Sequence, residues 1–142
     1  MSIIPVRIGE LIGKKYVTEK VIYIGKNLAV FLAKWKDNVP SVTLTLKFEL
    51  NYSDQTSLIN EKNVTKKIKD SNHFAKVIEF GKHREFNFLA VELLGPNLSF
   101  LAHRRPPYKL SLQTLLQFVY QALNALQTLH QAGFVHGAIE AV

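Results

Sequence analysis

The chain has 142 residues, 47% of them hydrophobic and 11% aromatic, a net charge of +7 and no cysteine. Length and apolar content suit one folded domain rather than a disordered chain, and the lack of cysteine excludes disulfides, zinc–thiolate sites and thiol chemistry. No window approaches the ~20 apolar residues of a membrane span, and Met1 to Ile8 lacks an apolar run after a basic region, so no signal peptide is read and a cytoplasmic or nuclear location is expected.

Residues 1 to 15 read as a lead-in, punctuated by Gly9 and Gly13, without a motif. Tyr16 to Ile24 and Leu28 to Trp35 are apolar, β-branched and aromatic runs around Gly25-Lys26-Asn27, which predicts a hairpin. After a turn over 37–40, Val42 to Leu50 alternates apolar and polar residues as a strand does. Lys47 on that strand is, without further context, a surface lysine. A polar loop over 51–56 precedes Ser57 to Ile68, where Leu58, Ile59, Glu61, Val64 and Ile68 recur at helical steps. Glu61 could pair with Lys62 or Lys66 on its own helix, or with a lysine elsewhere. Phe74 to Phe80 and Phe86 to Leu93 predict a second hairpin around Gly81 to Glu85.

The longest periodic segment follows. Leu112, Leu115, Leu116, Val119, Leu123, Leu126 and His130 recur at three- and four-residue steps, with Ser111 placed to cap the start and Gly133 to end the helix in a left-handed turn. His130 is expected to pack in the core. A short strand, Phe134-Val135, should then open into a loop, His136-Gly137-Ala138-Ile139-Glu140. The five histidines have no carboxylate or second histidine at ligand spacing, so no metal site is expected. The positive charge is dispersed along the chain and is read mainly as solvated faces, without the interleaved aromatic residues of a nucleic-acid platform.

With Glu92-Leu93-Leu94-Gly95-Pro96-Asn97-Leu98, then Arg104-Arg105, then the Leu110 to Gly133 helix and its terminal loop, the chain resembles a eukaryotic protein kinase. Within that family it is most similar to the casein kinase 1 group and its tau-tubulin kinase branch. The resemblance covers nearly all 142 residues. It implies an α+β fold: a small lobe with a five-stranded antiparallel sheet and helix C, reaching the hinge over 16–94, then helices D and E over 95–142. The chain would end in the catalytic loop, before the metal-binding asparagine, the Asp-Phe-Gly segment and the activation loop.

The same resemblance assigns roles. Aligning Val30 with the valine of the glycine-rich pattern puts Tyr23, Gly25 and Leu28 at its three glycine positions. Lys47 stands at the phosphate-contacting lysine and Glu61 at its helix-C partner. Val91 would be the gatekeeper, and the backbone of Glu92 and Leu94 would meet an adenine. His136 matches a histidine that braces the catalytic loop. Ala138 stands where the catalytic aspartate belongs, and Glu140 where a lysine would meet the γ-phosphate. These departures imply no kinase activity, no required cofactor, ATP only as a weak ligand and no Mg²⁺. Three readings remain open: a non-catalytic interaction or regulatory module, an ATP-binding regulator, or a kinase fragment without independent function. Leu115, Leu116, Val119, Leu123 and Leu126 on helix E would seek a protein partner or a second copy, and an acidic partner would fit near Arg104, Arg105 and Lys109.

Overall fold

The computed structural model describes residues 5–37, 39–51, 56–68 and 71–140. Asn38 of the expected 37–40 turn and residues 52–55 of the polar loop lie outside that set. The chain divides into two compact units, Met1–Lys66 with Ala75–Leu93, and Lys67–Phe74 with Leu94–Val142.

The first unit is an antiparallel sheet of six strands: β1 (Leu11–Ile12), β2 (Tyr16–Ile24), β3 (Leu28–Trp35), β4 (Thr43–Leu50), β5 (Val77–His83) and β6 (Phe86–Glu92), in the order β1-β2-β3-β4-β6-β5. The sheet and helix expected of a kinase-like small lobe are present, with β1 added at one edge. Strict alternation in β3 and β4 turns Ala29, Phe31, Ala33, Leu44, Leu46 and Phe48 to one side, where they are buried with Phe86, Phe88 and Ala90 of β6. Edge-to-face contacts order this core, with Phe31 and Phe48 ring centroids 5.6 Å apart and Tyr16 and Trp35 at 5.7 Å. Register irregularities between Thr18 and Lys20 and between Val21 and Tyr23 interrupt β2, the kind of bulge that increases local twist.

β6 is buried on both faces, because Leu89 and Val91 form a second, smaller core with Leu58 of helix α1 (Ser57–Lys67). The second hairpin differs from the expected one. β5 starts at Val77 rather than Phe74 and continues through Gly81 to His83, leaving Arg84-Glu85 as a two-residue turn with Arg84 at φ +54°. Gly81 stays in the strand because Phe88 of β6 lies across it: a methyl built at Gly81 would stand 2.6 Å from the ring.

The described part of the lead-in, residues 5–15, is built into the fold rather than standing ahead of it. Val6 and Ile12 are buried in the main core. Thr18 Oγ1 donates to the Arg7 carbonyl (2.6 Å) and accepts from the Glu10 amide (3.1 Å), while the Gly9 amide donates to the Thr18 carbonyl (2.7 Å). Glu10 then reaches the β5–β6 turn, its Oε1 2.8 Å from His83 Nε2 and 2.7 Å from the Arg84 guanidinium. A second bridge joins β2 to β5, where Glu79 accepts from the buried Tyr16 hydroxyl at 2.7 Å and from Lys15 Nζ at 2.9 Å. Burial raises the Tyr16 phenol, and the adjacent Glu79 carboxylate raises it further.

Burial pushes both carboxyls up. The Arg7 amide, His83 and Arg84 at Glu10, and Tyr16 and Lys15 at Glu79, more than offset it, so both sit below their ordinary value of 4.5. A depressed folded-state pKa stabilises above the unfolded value and is lost as pH falls through the folded one. Stability should therefore decline as pH is lowered from about 4.5, and Glu10→Gln should flatten that decline. Urea titrations at pH 5, 4 and 3, followed by fluorescence of Trp35, the single tryptophan, test this, and equal slopes in the two proteins would refute it.

The second unit holds α2 (Leu98–Ala102) and α3 (Leu112–Gln131). Asn97 caps α2 by accepting the Phe100 amide (2.8 Å), and Ser111 caps α3 by accepting the Thr114 amide (3.1 Å). At the far end Gly133, at φ +86°, donates to the His130 carbonyl (2.9 Å) and Phe134 to the Leu129 carbonyl (3.1 Å), the paired closure of a Schellman turn. Two expectations fail here. Phe134-Val135 is not a strand, since the Phe134 amide is consumed in closing the helix, and His130 is exposed while its neighbour Leu129 is the buried residue. No described helix is long and apolar enough to cross a membrane.

Candidate functional site

Cross-strand register places the expected residues on one face of the sheet. Tyr23 pairs with Val30, Val30 with Lys47, and Lys47 with Leu89, so these four side chains form a row across β2, β3, β4 and β6. Val91, two residues beyond Leu89, faces the same way. This is the face that α1 covers. Lys47 Nζ meets Glu61 Oε1 at 2.7 Å, with both side chains only partly exposed, 28% and 35%. The pairing between strand and helix therefore forms. Thr65 of α1 back-bonds to the Glu61 carbonyl (2.8 Å), and Lys62 Nζ sits over the Phe80 ring at 4.4 Å, so Lys62 is turned to β5 rather than to Glu61.

What aims Glu61 is a contact the sequence pattern did not single out. Glu49, two residues after Lys47 on the same face of β4, accepts the amides of Ser57 (3.3 Å) and Leu58 (2.9 Å). A carboxylate at a helix start satisfies orphan amides and meets the positive end of the helix dipole. One strand thus grips α1 twice, by Glu49 at its first turn and by Lys47 one turn later. Asn87, fully buried on β6, donates to Asn51 Oδ1 (3.2 Å) and Thr56 Oγ1 (3.4 Å), fixing the approach to the helix. A local signal for Glu49 existed: a carboxylate on a strand followed by a helix start lacking any acidic residue in its first turn.

The remaining candidates are less concentrated. Gly25 lies in the β2–β3 turn, its amide donating to the Leu28 carbonyl at 2.8 Å. Glu92 closes the start of β5, its amide donating to the Lys76 carbonyl (3.0 Å) and its carboxylate accepting the Lys76 amide (2.9 Å). Leu94 is exposed and belongs to the second unit. So do His136, Ala138 and Glu140, in an irregular stretch after α3 where Gly137 takes φ +73°. There the Ala138 amide donates to His136 Nδ1 at 3.3 Å. Arg104, Arg105 and Lys109 are exposed and have no carboxylate partner among the described residues. No three acidic or histidine side chains gather as a metal site among the described residues.

The chain also has recognisable relatives. Over 128 residues, 90% of its length, it is 29% identical to a probable serine/threonine-protein kinase of Dictyostelium discoideum, of which it covers 26%. Over 79 residues, 56% of its length, it is 34% identical to a putative casein kinase I of Caenorhabditis elegans, covering 23% of it. A putative serine/threonine-protein kinase of the same nematode is 28% identical over 100 residues, with 30% of that protein covered. The chain thus spans under a third of the length of these curated relatives. No protein-family model matches it. Its relationship is to serine/threonine protein kinases.

Proposed function

We propose that the chain is a kinase-derived module of the casein kinase 1 type, most similar to the tau-tubulin kinase branch, that binds a protein partner and does not transfer phosphate. The observation that carries this reading is the stretch after α3. A protein kinase uses an aspartate there to accept or orient the proton of the substrate hydroxyl. In this chain the residue is Ala138, whose methyl group can do neither, and Glu140 puts a negative charge where a lysine would meet the γ-phosphate. Binding would use the exposed side chains of α3, with Leu115, Leu116, Val119 and Leu123 exposed and Leu126 half-buried, as a surface for a protein partner or a second copy. Arg104, Arg105 and Lys109 would serve an acidic one.

A second reading is favoured by the Lys47–Glu61 pair at 2.7 Å. A lysine held by a carboxylate, beside Val30 and Val91, has what is needed to meet a nucleotide phosphate. In that reading the module is a nucleotide-sensing regulator. One pair of experiments separates the possibilities. Phosphate transfer from ATP to casein should be no faster for the native chain than for Lys47→Ala, and a faster native rate would refute the non-catalytic reading. In parallel, ATP should raise the unfolding midpoint of the native chain. Ligand at 100 times its Kd adds about 2.7 kcal/mol. The rise should need no Mg²⁺. A midpoint unmoved by ATP would leave protein binding as the function.

A further inference from the structure

We propose that Tyr23 decides what the Lys47 face can hold: its ring closes the β2–β3 hairpin to polyphosphate, so a nucleoside or monophosphate binds as well there as a triphosphate. The inference rests on the nucleotide reading above. Three observations in this hairpin carry it.

First, Tyr23 pairs with Val30 and Val30 with Lys47, so Tyr23 stands on the same face as Lys47, two strands away. Adjacent strands lie about 4.8 Å apart, which puts the two residues within reach of one extended ligand. Second, the ring is folded over Gly25, the next residue on that face: a methyl built on Gly25 would stand 2.6 Å from the Tyr23 hydroxyl oxygen and 2.8 Å from Cε1. Third, the Gly25 amide already donates to the Leu28 carbonyl at 2.8 Å, and the Leu28 side chain packs against the small core of Leu58, Leu89 and Val91. A backbone cradle for phosphate needs free amides and no side chain in the way. Here the amide is engaged and the space above it is filled by an aromatic ring. Tyr23 is itself 55% exposed, so its position is local to the hairpin and its removal leaves the core intact.

The test is calorimetric titration of the 142-residue chain with adenosine, AMP and ATP, in native, Tyr23→Phe and Tyr23→Gly forms, each with and without Lys47→Ala. Tyr23→Ser is a second opening variant, since glycine weakens a strand. The native chain and Tyr23→Phe should bind the three ligands within about threefold of one another, because the ring and not its hydroxyl fills the space. Tyr23→Gly or Tyr23→Ser should bind ATP about tenfold more tightly than adenosine, with the gain lost in Lys47→Ala. A native chain that already prefers ATP about tenfold through Lys47 overturns the role of Tyr23 and leaves the nucleotide reading standing. Opened variants that bind adenosine and ATP alike overturn it in the same way. If no variant binds any of the three ligands, both the role and the nucleotide reading fall.

Discussion

Replacing Phe88 with alanine should cost the sheet unit about 3–5 kcal/mol, a large share of the 5–15 kcal/mol that holds an ordinary domain together. Phe88 is buried, its ring centroid 6.3 Å from that of Phe48 and 6.4 Å from that of Tyr16. The ring is also matched by two glycines, since a methyl at Gly81 would stand 2.6 Å from it and one at Gly13 3.3 Å. The backbone on these sides is hydrogen-bonded in the β5–β6 ladder and in the turn between β1 and β2, so it cannot readily move in to fill a cavity. Urea unfolding followed by Trp35 fluorescence reads the loss, since Trp35 and Tyr16 pack edge to face in the same core. Phe88→Leu should cost less, because it keeps most of the apolar volume. A loss below about 1 kcal/mol for the alanine variant would mean that the sheet collapses around the gap and that the ring does not organise it.

The parts of this chain that could be read from its sequence are those whose signal is local. The β2–β3 and β5–β6 pairs announce themselves as apolar runs around short turns, and α3 by its three- and four-residue steps between Ser111 and Gly133. The hidden parts depend on partners far away along the chain. Val6 and Ile12 have no periodicity of their own, and their contacts are made from a distance: Ile12 pairs with Tyr16 in the β1–β2 ladder, and Thr18, which reads as an ordinary polar strand residue, bonds the Arg7 carbonyl next to Val6. Glu10 and His83 are separated by 73 positions, a distance over which spacing says nothing. Phe134-Val135 has the composition of a strand, but composition cannot reveal that the Phe134 amide is taken by the end of α3. Lys47 and Glu61 were legible as a pair only through the resemblance, because either residue alone is an ordinary surface charge. Glu49, which places the helix, carries no family role and was missed.

Leu58→Ala should cost about 2–5 kcal/mol, whereas Glu61→Gln should cost no more than about 1 kcal/mol. Leu58 is 1% exposed and joins α1 to Leu89 and Val91 of β6, so its truncation opens a cavity in a core too small to spread the loss. The Lys47–Glu61 pair is partly exposed, 28% and 35%, and water screens what it contributes. Together with the Glu49 and Asn87 contacts at the start of α1, this means that packing and capping set the helix in place and the ion pair only uses the result. A lysine whose carboxylate partner contributes little to stability can give up part of that contact to an anionic ligand without loosening the fold. Comparing urea midpoints of the two variants, with helix content followed by circular dichroism, tests the division. If Glu61→Gln proved as costly as Leu58→Ala, the pair would be a structural strut, and Lys47 would not be free to serve a ligand.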